Sequence, residues 1–237
     1  MQAVVDANAK VGSNVAFGPG VVISAGAEIG DGCVFGAFVF VDEGVVIGPN
    51  CHFESHCVVL RGTKIGARCQ FRSGVVIGSQ GFGFVEHQGT HHPIPQVGGV
   101  EIGDDTCIGA NSCVDRGTLK PTRVGSRCRI GAQVQLAHNT AVGDDSTMDD
   151  QAGLAGSTYI GQRCHTGAQS GIAAPAMMGD DCKLGFRAGL TRKAPNGSDM
   201  WGFPARPRHE AMRNAAALSI LAKKFAKEDP ASGKSEA

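Results

Sequence analysis

The sequence predicts an all-β solenoid, a parallel β-helix of six-residue repeats closed by a C-terminal α-helix. Three observations predict it. A large apolar residue recurs every sixth position from Val5, Val11, Phe17, Ile23, Ile29 and Phe35 onward to Ile77. The position four residues after it is small or β-branched, as at Val15, Val21, Thr106, Ser112, Ala152 and Ser170. The residue directly after it is often glycine, as at Gly12, Gly30, Gly48, Gly66, Gly103, Gly125 and Gly161.

Positions four and six after a large residue lie two apart and so face the same side of a strand. Each hexad therefore reads as a short strand followed by a tight turn, with glycine supplying turn conformations that other residues resist. Periods of this kind mark stacked architectures. Three hexads make one triangular coil of 18 residues, and about nine or ten coils fit, stacked at a strand spacing of about 4.8 Å. The phase breaks after Ile77 and resumes at Ile102, Ile108 and Val114. It then slips by four residues and continues from Val124 to Leu190, with Thr166 the one polar member.

The coil should span residues 3–194, interrupted by a long loop at 79–101 that carries Phe82, Phe84, His87, His91 and His92. A long loop on a regular solenoid is a common place for function. Residues 195–207, rich in Pro and Gly, read as a linker. Residues 208–227 read as a helix with Met212, Leu218, Leu221 and Phe225 apolar, suited to capping the coil or packing on another subunit. The polar stretch 228–237 reads as disordered.

Nine cysteines raise the question of disulfides or metal. Cys33, Cys51, Cys57, Cys69, Cys128, Cys164 and Cys182 all fall on the small inward position, where a free thiol acts as a small hydrophobe. Cys107 and Cys113 sit one place later and should face outward. The loop histidines lack flanking ligands, so no metal site is expected. Formal net charge is zero and aromatic residues are 5% of the chain, which argues against nucleic-acid binding. There is no apolar run long enough for a transmembrane helix and no signal-peptide pattern, so a cytoplasmic protein is expected.

Gly81-Phe-Gly-Phe84, Ile94-Pro-Gln-Val-Gly98, Asp115-Arg-Gly117, Gln135-Leu-Ala-His-Asn139, Ala155-Gly-Ser157 and Gly202-Phe-Pro204 occur in one order. Together they resemble the UDP-3-O-acylglucosamine N-acyltransferases of lipid A synthesis, over nearly the whole chain. The resemblance implies a left-handed coil and a homotrimer with active sites between subunits. It implies no bound cofactor. The donor would be an acyl chain on the 4'-phosphopantetheine of acyl carrier protein. The acceptor would be the 2-amine of a UDP-3-O-acylglucosamine-like sugar, attacking directly with a histidine as general base.

Carried over position by position, the resemblance makes His138 the base and Gly156 the oxyanion donor. His138 sits on an outer turn, and imidazole, with an ordinary pKa near 6.5, suits proton removal near neutrality. Gly156 lies 18 residues later, one coil along, where a backbone N–H could hold a thioester oxyanion. Gln135 and Asn139 flank the base and would orient it or bind the sugar. Phe82 and Phe84 would line the acyl or pantetheine groove, and Gly189 would leave room for the acyl chain. Asp115 and Arg116 belong to a motif matched to the family, with no role that follows from the residues, and a structural ion pair is at least as good a reading.

The chain departs from the family in three places. Its coil begins near Met1, so the family's N-terminal uridine-binding domain is expected to be missing. Gly131 and Ala132 stand where the family tends to carry Asp-Asn, and Pro175 stands on a second family histidine. Those departures keep two other readings open, acylation of a different amino sugar and a trimeric β-helix scaffold without catalysis; a zinc hydratase shares the repeat, but its three convergent histidines have no counterpart pattern in this sequence.

Overall fold

A computed structural model describes residues 2–228. Apart from Glu228, the stretch read as a disordered tail lies outside the described residues. Short parallel strands form three sheets of ten, nine and eleven strands, and consecutive strands pass from one sheet to the next. Pairing runs in steps of 18, as in Val4 with Val22, Val22 with Phe40 and Phe40 with Val58. This is the triangular coil that the hexad period requires.

The interior is filled as the repeat dictates. Phe35, Phe53 and Phe71 are buried and stack with Phe17 in a column, ring centroids 5.5, 5.0 and 4.6 Å apart from one coil to the next. All seven cysteines on the inward position are buried, and Cys107 and Cys113 are half-buried. Desolvation pushes the Cys57 and Cys164 thiols up to about 11, so they remain protonated near neutrality.

The glycines that follow the large residues serve a purpose other than the expected one. None of Gly12, Gly30, Gly48 or Gly66 has a positive φ; the third turn residue does, as at Asn14, Asn50 and Arg68. A Cβ on Gly30 would instead lie 2.6 Å from the backbone nitrogen of Pro49 in the next coil. Those glycines are set by the stacking distance between turns.

The two phase breaks leave from the same corner, between the first and second sheets. Ile77 pairs with Val114 across the first break, and Ile102 with Val124 across the second. The loop expected at 79–101 contains an antiparallel hairpin, Phe84–His87 against Thr90–Pro93. The expected linker at 195–207 is also ordered. Ala194 bridges Met178, Asp199–Trp201 joins the third sheet, and Arg206–Pro207 folds back on it. The coil thus runs further than the sequence period, because Pro195 to Ser198 make a turn that lacks the apolar residue marking the other hexads. Helix Arg208–Glu228 follows, with Met212, Leu218, Leu221 and Phe225 left exposed. Among the described residues no helix is long and apolar enough to cross a membrane.

Candidate active site

His138 stands on a turn of the corner from which both breaks emerge. Its ring lies in a slot between two glycines. A Cβ on Gly81, from the long excursion, would lie 2.6 Å from the His138 Cβ. A Cβ on Gly156, one coil further, would lie 2.6 Å from the His138 Nε2 and Cε1. Only residues without side chains allow the imidazole this seat. The structure brings His138 and Gly156 together through coil stacking, and Ser157 N–H donates to the His138 carbonyl at 2.9 Å.

The turn differs from five at the other corners, whose middle N–H is capped by a carboxylate from the next coil: Asp31 on Ser13, Asp104 on Ala67, Asp144 on Ser126, Asp150 on Ala132 and Asp180 on Gln162, at 2.6–2.9 Å. At His138 the equivalent position in the next coil is Gly156, which has no carboxylate. Among the described residues neither the His138 nor the Gly156 amide N–H has a hydrogen-bond partner. Two main-chain donors are thus left open beside one imidazole, a combination suited to a developing negative oxygen.

Asn139 is the residue that touches the imidazole: its Nδ2 lies 2.9 Å from His138 Nδ1. Gln135 does not orient His138 as expected. Its Nε2 donates to Asp115 Oδ2 at 2.9 Å, because a side chain at that strand position leaves the coil beside the neighbouring strand and not at the corner. Asp115 and Arg116 form no ion pair with each other. Asp115 is buried and accepts from the Ser79 hydroxyl at 2.6 Å. Arg116 is buried and donates to the carbonyls of Gly78 and Arg61 at 2.7 and 2.9 Å. They pin the excursion to the coil at its base.

A groove of about 490 Å³ lies on the first sheet, lined by Gly153, Ala155, Gly171, Ala173, Gly189 and Phe203 among others. Gly153, Gly171 and Gly189 are stacked partners in register. A Cβ on Gly153 or Gly171 would meet nothing within 4 Å, whereas one on Gly189 would strike the Phe203 ring. The strip runs from beside Gly156 to the Phe203 ring, which lies over Gly189. Gly189 is therefore placed under a stopper that the sequence reading missed, as it missed Gly153 and Gly171. Phe82 and Phe84 do not line this groove. They meet edge to face, centroids 5.2 Å apart, on the excursion, and Phe82 is 82% exposed. Among the described residues no three His, Cys, Asp or Glu side chains gather to hold a metal ion.

Two family models match. One, described as bacterial transferase hexapeptide (six repeats), matches residues 8–43 and 44–79; the other, described as hexapeptide repeat of succinyl-transferase, matches residues 99–132 and 158–190. Among curated relatives, UDP-3-O-acylglucosamine N-acyltransferase of Pseudomonas syringae pv. syringae is 42% identical over 83 residues, 35% of this chain and 24% of the relative. The enzyme of that name from Leptospira biflexa serovar Patoc is 50% identical over 80 residues, 34% of this chain and 23% of the relative. The matched stretches thus span about a quarter of the length of these relatives. Among solved structures, an Arabidopsis UDP-N-acetylglucosamine acyltransferase superposes with a TM-score of 0.76 at 20% identity, covering 100% of this chain and 84% of that one. UDP-N-acetylglucosamine O-acyltransferase from Moraxella catarrhalis RH4 gives 0.71 at 23% identity, covering 95% and 82%. The likeness shows the fold, a left-handed parallel β-helix, in the sense expected from the sequence. Both matches fall on the hexapeptide repeat, and the coil realises that repeat over the matched residues 8–79, 99–132 and 158–190.

Proposed function

We propose that this chain moves an acyl group from a thioester to the amine of a sugar at the corner formed by His138 and Gly156. The observation that carries the reading is the imidazole seated beside two open backbone N–H groups at the head of a bare, stoppered groove. The names of the curated relatives support an amino-sugar acceptor of the UDP-3-O-acylglucosamine kind. The donor in this reading is acyl-4'-phosphopantetheine on acyl carrier protein, with the acyl chain along Gly153, Gly171 and Gly189. No bound cofactor takes part.

In the reaction the amine nitrogen attacks the thioester carbon, and the oxyanion takes the open amides of Gly156 and His138. His138 removes the amine proton and returns it to the departing sulfur, leaving an amide and a free thiol. Direct attack is supported by the surroundings of the ring. The one hydrogen bond of the imidazole among the described residues is to Asn139, so no Ser or Cys is paired with it as a nucleophile. The exposed Phe82, Val85 and Val97 along the excursion, and Leu119 on the second break, fit burial by neighbouring copies in a homotrimer.

Thiol release tests the reading. The full chain is incubated with acyl carrier protein thioesters and UDP-3-O-acylglucosamine, alongside other amino sugars. Release should fall at least ~10²-fold in His138→Ala and in Gly156→Ala, whose added methyl displaces the ring. Equal release in wild type and His138→Ala, or none with any acceptor, would sink it.

A further inference from the structure

Asn139 does more than touch the ring. The Thr118 backbone N–H donates to Asn139 Oδ1 at 2.7 Å. A main-chain amide cannot reverse its polarity, so the Asn139 side chain has one workable orientation, with Nδ2 turned away from that amide. Nδ2 then directs its two hydrogens to Thr118 Oγ1 and to His138 Nδ1, each at 2.9 Å. The Thr118 hydroxyl donates to Gln96 Oε1 at 2.7 Å. Gln96 is buried, and its own orientation is set because its Nε2 donates to the Ile94 carbonyl at 3.0 Å.

Each member of the chain Gln96–Thr118–Asn139–His138 thus has a fixed direction. It ends with Nδ1 as an acceptor. A neutral imidazole with an accepting Nδ1 carries its proton on Nε2, the nitrogen beside Gly156. We infer that Asn139 is a positioning residue that holds His138 at rest as the Nε2–H tautomer, with its own orientation set by Thr118 and Gln96.

The consequence for catalysis rests on the acyl-transfer reading. At rest His138 offers a donor toward Gly156 and no lone pair. Taking an amine proton at Nε2 requires the Nδ1–H form, and hence an Asn139 carbonyl turned to the ring. That turn sets Nδ2 against the Thr118 amide, donor against donor. The base is therefore idle until the Thr118 hold is released, and Gln96 places that hold on the excursion that also contributes Gly81.

Ring nitrogen shifts read the tautomer directly. Full-length protein labelled with 15N-histidine is measured by long-range proton–nitrogen correlation at about pH 8, above the ordinary imidazole pKa. The His138 signal is assigned by its loss in His138→Gln. Wild type should show protonated Nε2 and unprotonated Nδ1. Asn139→Asp should reverse this, since its carboxylate can accept from both the Thr118 amide and Nδ1–H. Asn139→Leu should give a mixture. A wild-type Nδ1–H signal, or an unchanged tautomer in Asn139→Asp, would overturn the inference. The shifts are read without substrate, so they stand or fall apart from any acyl transfer; transfer by a wild type found in the Nδ1–H form would sink the inference alone.

Discussion

Thr63 Oγ1 is the one buried side-chain polar atom among the described residues without a hydrogen-bond partner. The residue is fully buried, and a Cβ on Gly78 would lie 2.9 Å from its hydroxyl oxygen. A buried hydroxyl without a partner costs about 1–3 kcal/mol. Thr63→Val keeps the shape and should raise stability by ~1 kcal/mol, read as a higher urea midpoint at unchanged slope. A lower midpoint would show that the hydroxyl has a partner, such as a buried water. At this scale the sequence was legible where the period fixes a residue's direction, as for the inward cysteines. It was not legible where partners come from outside the period. Gln96 and Thr118 belong to the two insertions, and nothing in a six-residue phase says that they meet Asn139. Gln135 is a like case: three residues before His138 along the chain, its amide is turned to Asp115 in space and not to the imidazole.

Among elements, the first sheet is unusual for what its outer face lacks. Its outward column passes from Phe40, Val58 and Val76 through Cys113 and Gln135 to Gly153, Gly171 and Gly189. The bare rungs are spaced at the strand separation of about 4.8 Å. Gly171→Leu should fold normally, because its Cβ enters open space. It should also obstruct the groove between Gly156 and Phe203. On the acyl-transfer reading the variant keeps short-chain donors and rejects long ones, while Phe203→Ala accepts longer ones; thiol release across a series of chain lengths is the measurement. Unchanged chain-length preference in both would place the acyl chain elsewhere. The sequence marked Gly189 but not the ring that covers it, since Phe203 lies on a hairpin that the repeat does not encode.

Across the whole molecule, surface charges tie coil to coil. Arg68 pairs with Asp105, Arg127 with Asp145 and Arg163 with Asp181, each through two guanidinium nitrogens at 2.6–2.9 Å. Hydrogen bonding to these guanidinium groups holds the three carboxyls below the ordinary aspartate value of 3.8. The folded state therefore binds these protons less readily than the unfolded chain. The stabilisation is complete above the ordinary aspartate value and is lost as pH falls through the lowered folded values. Urea midpoints should hold steady from about pH 7 to 5 and drop below about pH 4. Arg127→Gln should flatten that drop, and salt should do the same, since these pairs are exposed. An acid limb unaffected by Arg127→Gln would assign it to other carboxylates.

That charged edge also carries a parity. Read down the corner between the second and third sheets, the third turn residue alternates in sign: Arg68, Asp105, Arg127, Asp145, Arg163, Asp181. Excising one coil would leave the hydrophobic column in phase yet set Arg127 against Arg163, whereas excising two would restore opposite neighbours. The column tolerates shortening by any whole coil, but its charged seam tolerates shortening only in pairs.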